Sequence, residues 1–241
     1  MHVMLMVGIT TFVFLISLCL LCVFREKLNN PIINPLFVAS AAILIFCWNY
    51  ATFDYRGPKT GFITLENISP YICSVIAVSP LLNRKVKEYA YAAIAYLSFG
   101  MFLALLLSPE FEYLLNYQHE SKFWHVSEAA CHVIMGVYGY YLILSNKIKL
   151  NLKSFGKAVI FMYGSVGFGV FLNYFFHTSF FGMNMHGKYA IYFLDIFGSF
   201  EITLLAYLLG ILATLALGFL TGSLLDRLSR PKKKHADSVN E

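Results

Sequence analysis

Residues 189–225 read YAIYFLDIFGSFEITLLAYLLGILATLALGFLTGSLL, and this run decides the fold class. A helix crossing about 30 Å of hydrocarbon needs roughly 17–25 mostly apolar residues. The run is longer than that, so it is expected to begin as an interfacial segment and end as a crossing. Working outward, six more apolar stretches precede it, at 1–24, 36–53, 68–82, 89–107, 125–144 and 155–176. The first has no basic n-region before it and no small-residue cleavage site after it, so it reads as a mature helix and not a signal peptide. The third is the shortest. Pro70 and Pro80 frame it, and the spacing predicts a kinked, half-buried or broken helix.

Composition agrees. The chain is 59% hydrophobic and 13% charged, with a mean hydropathy of +0.66. Soluble domains carry about 25% charged residues, so neither a soluble domain nor a disordered chain fits. The expected fold is all-α: a polytopic membrane bundle of about seven transmembrane helices. One domain is expected over 1–225, followed by a basic polar cytoplasmic tail at 226–241.

Lysine and arginine orient the bundle. Fourteen of them fall in the odd-numbered loops and the tail, against four in the even loops. By the positive-inside rule the odd loops and C-terminus face the cytoplasm and the N-terminus lies outside. The net charge of +5 is therefore not a nucleic-acid footprint. The tail is expected to meet anionic lipid at the membrane surface. No eukaryotic sorting signal is evident, which makes a bacterial plasma membrane the expected host. Gly164, Gly167 and Gly169 follow no strand and precede no Lys-Ser/Thr, so close helix packing is expected there instead of a nucleotide loop. Asn67-Ile68-Ser69 fits a glycosylation sequon but abuts the membrane.

Ionisable residues inside a membrane domain are costly, and each is a functional candidate. His119, His125, His132, His177 and His186 lie in the even loops or the adjoining helix ends, with Glu128, Asn173, Asp195 and Glu201 near the same side. They point to one cavity opening away from the cytoplasm. His125, Glu128 and His132 stand at i, i+3 and i+7, on one helix face. His132 lies about eight residues, roughly 12 Å at 1.5 Å per residue, below the outer border. Cys73 descends from the same side in the proline-framed helix. An imidazole beside it would take its proton and create the nucleophile that acyl transfer requires. The other four cysteines, Cys19, Cys22, Cys47 and Cys131, read as inert packing residues.

Three short pieces carry a family likeness: Ile68-Ser69-Pro70-Tyr71-Ile72-Cys73, Ala130-Cys131-His132, and Asn184-Met185 followed by Asp195 and Gly198. In this order the chain resembles the YwaF-like bacterial integral-membrane proteins from about residue 32 to 225. Their animal relative is a transmembrane acyltransferase that remodels ether phospholipids through a cysteine thioester. The resemblance implies Cys73 as acyl-accepting nucleophile and His132 as base. Tyr71 stands where many bacterial members carry histidine.

The expected function is a cysteine-dependent phospholipid acyltransferase or transacylase with an outward-facing intramembrane site. Its substrates would be membrane phospholipid and lyso-phospholipid, and no cofactor is called for. Glu128, His125 and Asp195 are supporting residues, and Asn173 or Asn184 is the candidate oxyanion donor. Two alternatives stay open. One is a metal-dependent lipid hydrolase drawing on His125, His132, His177 and His186. The other is a membrane transporter or small-molecule-binding subunit, for which an interrupted helix would be typical.

Overall fold

The computed structural model describes residues 2–56, 68–107, 122–176, 178, 180–182 and 197–230. Among these residues every regular element is helical. Seven α-helices occupy the seven apolar stretches: α1 (His2–Val23), α2 (Ile33–Arg56), α3 (Ile68–Val78), α4 (Arg84–Leu107), α5 (Lys122–Leu144), α6 (Leu152–Phe176) and α7 (Phe200–Ser229). Short 3-10 turns follow α1, α3 and α6. Three helices, α2, α6 and α7, are long and apolar enough to cross a membrane.

The long apolar run is interrupted at Gly198 and Ser199; its first part, 189–196, lies outside the described residues. Gly198 takes a left-handed backbone (φ 74), and Ser199 caps α7 by accepting from the Ile202 N–H at 3.2 Å. The crossing helix therefore begins at Phe200.

The proline-framed helix behaves otherwise than expected. Pro70 falls in the first turn of α3, where a missing N–H disturbs no bond within the helix. Pro80 lies in the 3-10 turn Ser79–Leu81, and α3 ends before it, at Val78. The helix is unbroken around Cys73, so neither proline opens it there. It is merely short: eleven residues at 1.5 Å each give roughly 16 Å.

The bundle is built around α4 and α5. Both pack on each other, with α6 and α7 against α4 and with α1, α2 and α3 against α5. Ala90, Ala92, Ala93 and Ala95 are fully buried and let neighbouring backbones come close to α4. The tightest approaches are at glycines. A Cβ on Gly218 would stand 1.7 Å from the Tyr96 carbonyl oxygen, and one on Gly139 would stand 2.8 Å from the Ile94 carbonyl oxygen. The three glycines of α6 differ from expectation: Gly164 and Gly167 face open space, and Gly169 makes room only for the Phe181 ring. Close helix packing belongs to α4, α5 and α7.

Tyrosine hydroxyls cross-link the helices. Tyr138 donates to Asn34 Oδ1 (3.0 Å), Tyr140 to Thr221 Oγ1 (2.9 Å) and Tyr163 to the Leu208 carbonyl (3.0 Å). Such bonds between helices in lipid are worth about 0.6 kcal/mol each. The outer faces carry bare Ile43, Phe46, Ile160, Phe168, Leu205 and Leu209. A surface of that kind is a liability in water and ordinary in hydrocarbon.

Candidate functional site

α3 and α5 lie side by side, and a cluster of polar groups is buried between them. His132, 5% exposed, is its centre. Its Nδ1 sits 2.9 Å from the Glu128 carbonyl oxygen, one turn back on α5. A carbonyl only accepts, so Nδ1 carries the hydrogen. In the neutral ring this leaves Nε2 as the basic nitrogen. It faces α3 and accepts from the Ser69 hydroxyl at 2.9 Å. Trp48 of α2 closes one side, its ring 5.9 Å from the imidazole.

Glu128 thus orients the imidazole through its main-chain carbonyl. The arrangement fixes tautomer and direction.

Cys73 lies one turn past Ser69 and is completely buried. Residues at i and i+4 share a helix face, so hydroxyl and thiol line the same side of α3. Its Sγ is 3.7 Å from the Ala41 carbonyl of α2, and the Cys131 thiol of α5 is a near neighbour. The structure therefore brings Ser69 to His132 and Cys131 to Cys73, with all four on one α3–α5 seam. Direct contact with the imidazole belongs to Ser69. Both thiols are free, with no disulfide.

The remaining candidates lie apart. Asn173 is buried at the end of α6, and its amide closes the following turn: Oδ1 accepts from Phe180 N (2.7 Å) and Thr178 Oγ1 (2.8 Å), while Nδ2 donates to Phe180 O (2.9 Å). That clamp holds Phe181 with left-handed φ of 56. The Phe181 ring then meets Tyr71 of α3 edge-on at 5.2 Å. Tyr71 is further tied to α6 by a 2.8 Å hydrogen bond with Ser165. Asn173 thus reaches the site only through two aromatic rings. Glu201 is exposed in the first turn of α7.

His119, His177, Asn184, His186 and Asp195 lie outside the described residues, as does the side chain of His125, whose backbone is in the first turn of α5. Among the described residues, no three His, Cys, Asp or Glu side chains converge as a metal site.

Ser69 is the residue missed in the sequence. Its signal was present, four positions before the cysteine and on the same face. An apolar cavity of about 350 Å³ opens beside the first turn of α3, lined by Ile68, Leu97, Thr203, Tyr207 and Ile211 among others.

No family model, no curated protein and no solved structure matches the chain.

Proposed function

We propose that this chain is a seven-crossing membrane enzyme that moves fatty-acyl groups between phospholipids and lyso-phospholipids. Its N-terminus lies outside, its C-terminus in the cytoplasm, and its host is a bacterial plasma membrane. The charge asymmetry supports this orientation. So does the gathering of Arg25, Lys149, Arg227 and Arg230 at one end of the bundle. The basic tail then rests on anionic lipid.

The observation that carries the reading is the aim of the imidazole. His132 Nε2 is turned to a helix face bearing a hydroxyl and, one turn deeper, a thiol. The short α3 supports an intramembrane location. Ser69 lies roughly 20 Å above the cytoplasmic end, counting 1.5 Å per α-residue and 2.0 Å per residue in the 3-10 turn. The outer leaflet supplies ester carbonyls not far above that depth.

In the reaction, the Cys73 sulfur attacks the ester carbonyl of a phospholipid. Its proton passes to the Ser69 hydroxyl as Ser69 passes its own to His132 Nε2. The tetrahedral adduct collapses to a thioester, and His132 returns the proton to the departing lyso-lipid oxygen. A second lyso-lipid hydroxyl attacks the thioester with the same base, giving ping-pong kinetics. The resemblance to YwaF-like proteins points to the same cysteine and histidine.

A second reading follows from the 2.9 Å contact itself: Ser69, already bonded to the base, is the nucleophile and Cys73 lies behind it. Exchange of labelled lyso-phospholipid by purified protein in vesicles separates the two. The first reading expects Cys73→Ala to abolish exchange and Ser69→Ala to weaken it; the second expects the reverse. Wild-type protein without exchange, or full exchange in His132→Ala, would sink both.

A further inference from the structure

The cytoplasmic end carries a second cavity, of about 680 Å³, between α7 and the segment that joins α5 to α6. Asn146, in the left-handed region (φ 57), ends α5 and turns this segment back, with Ile148 N bonded to Leu142 O at 3.1 Å. The cavity lies well away from His132: Ile143, on its wall, is eleven residues further along α5, or roughly 16 Å.

Its lining is of two kinds: Leu150, Phe219 and Leu220 are apolar, and Lys149, Arg227 and Arg230 are cationic. Leu220, Leu224 and Arg227 fall at i, i+4 and i+7, on one stripe of α7. Leu220 is 65% and Leu224 59% exposed, so the stripe is open sideways to hydrocarbon. The order along it, apolar and then cationic at the water interface, is the order of a phospholipid from acyl chain to phosphate.

The charges leave a surplus. Asp226 is the acid of the cavity, and Arg25 and Arg230 both bind it, Arg230 at 2.6 Å. Two guanidinium groups on one carboxylate leave one positive charge over. Lys149 and Arg227 are exposed and add to it.

We infer that this cavity is a binding site for a phospholipid with an anionic headgroup, held by Lys149, Arg227 and Arg230 with its acyl end on Phe219 and Leu220. It is distinct from the proposed acyl-transfer site and from the tail lysines Lys232, Lys233 and Lys234.

Native mass spectrometry of the detergent-purified full chain tests this, with phosphatidylglycerol and phosphatidylcholine of matched chains competing. The expected result is preferential retention of phosphatidylglycerol. Lys149→Gln, a change at an exposed loop position, is expected to reduce that preference about five-fold, the effect of one cationic contact near an anionic surface. Arg227→Gln should do the same, Arg227→Lys should preserve the preference, and Lys232→Gln/Lys233→Gln/Lys234→Gln should leave it in place. Equal retention of the two lipids, or a preference lost only with the three tail substitutions, would overturn the inference. Displacement of the lipid by millimolar glycerol 3-phosphate would also overturn it, because the site would then take a free phosphate ester and not a lipid.

Discussion

The middle of α5 and its C-terminal end solve opposite problems. At His132 the helix buries an imidazole among apolar neighbours and satisfies it with a carbonyl and a hydroxyl, neither of them charged. Past Leu144 the same chain enters a region of full charges, where Arg25 bonds the Asp226 carboxylate, the Asp226 carbonyl (2.8 Å) and Ser229 Oγ (2.6 Å). That guanidinium caps the last turn of α7, where carbonyls lack partners and a cation is favoured. The difference follows from solvent. Deep in hydrocarbon a lone charge is too costly, so a neutral donor–acceptor chain is what a proton-handling site can be made of. At the interface water and headgroups share the burden, and ion pairs are affordable.

This contrast can be broken or sharpened by substitution. The largest effect is expected at the neutral end. His132→Ala should lower acyl exchange by about a hundred- to ten-thousand-fold, the usual contribution of a positioned base, and leave lipid retention at the Lys149–Arg227 cavity unchanged. Asp226→Asn attacks the charged end: it should lower stability by about 1.5–3 kcal/mol, the worth of hydrogen bonds to charged groups, with exchange per folded molecule preserved. Thermal unfolding in detergent reads this. Gly218→Ala pushes a methyl group into the Tyr96 carbonyl and should destabilise by about 1–3 kcal/mol. Gly164→Ala, facing open space, should stay within about 0.5 kcal/mol of wild type. A small effect is also expected at the Lys157–Glu88 pair (2.6 Å), which lies open to water. Lys157→Gln should barely move thermal unfolding, and the difference should shrink as salt is added.

The helices were legible because hydropathy alone marks where a chain can be apolar for long enough. The helix starts were less so. α4 begins at Arg84 and α5 at Lys122, each several residues before the apolar stretch, because charged side chains can continue a helix into the interface. What hydropathy does not contain is how each helix is turned and how high it stands against its neighbours. His132 and Cys73 were legible as candidates by residue type and depth. Positions 69 and 73 share a face, so whether the imidazole meets one or the other depends on the height at which α3 stands against α5, and it meets Ser69. The turn of α5 brings Cys131, read as filler, beside Cys73. The α6 glycines failed for a related reason: small residues permit close approach only where another helix arrives, and none does at Gly164 or Gly167.

The most direct test of acyl transfer on the α3–α5 seam is the intact mass of purified protein after incubation with phospholipid, before and after neutral hydroxylamine. A fatty-acyl mass shift is expected, removed by hydroxylamine, absent in Cys73→Ala and discharged by added lyso-phospholipid. A hydroxylamine-resistant adduct lost with Ser69→Ala would move the acyl group to the serine. Wild-type protein that never gains an acyl group, under conditions where labelled lyso-lipid is available, would contradict covalent acyl transfer on this seam altogether.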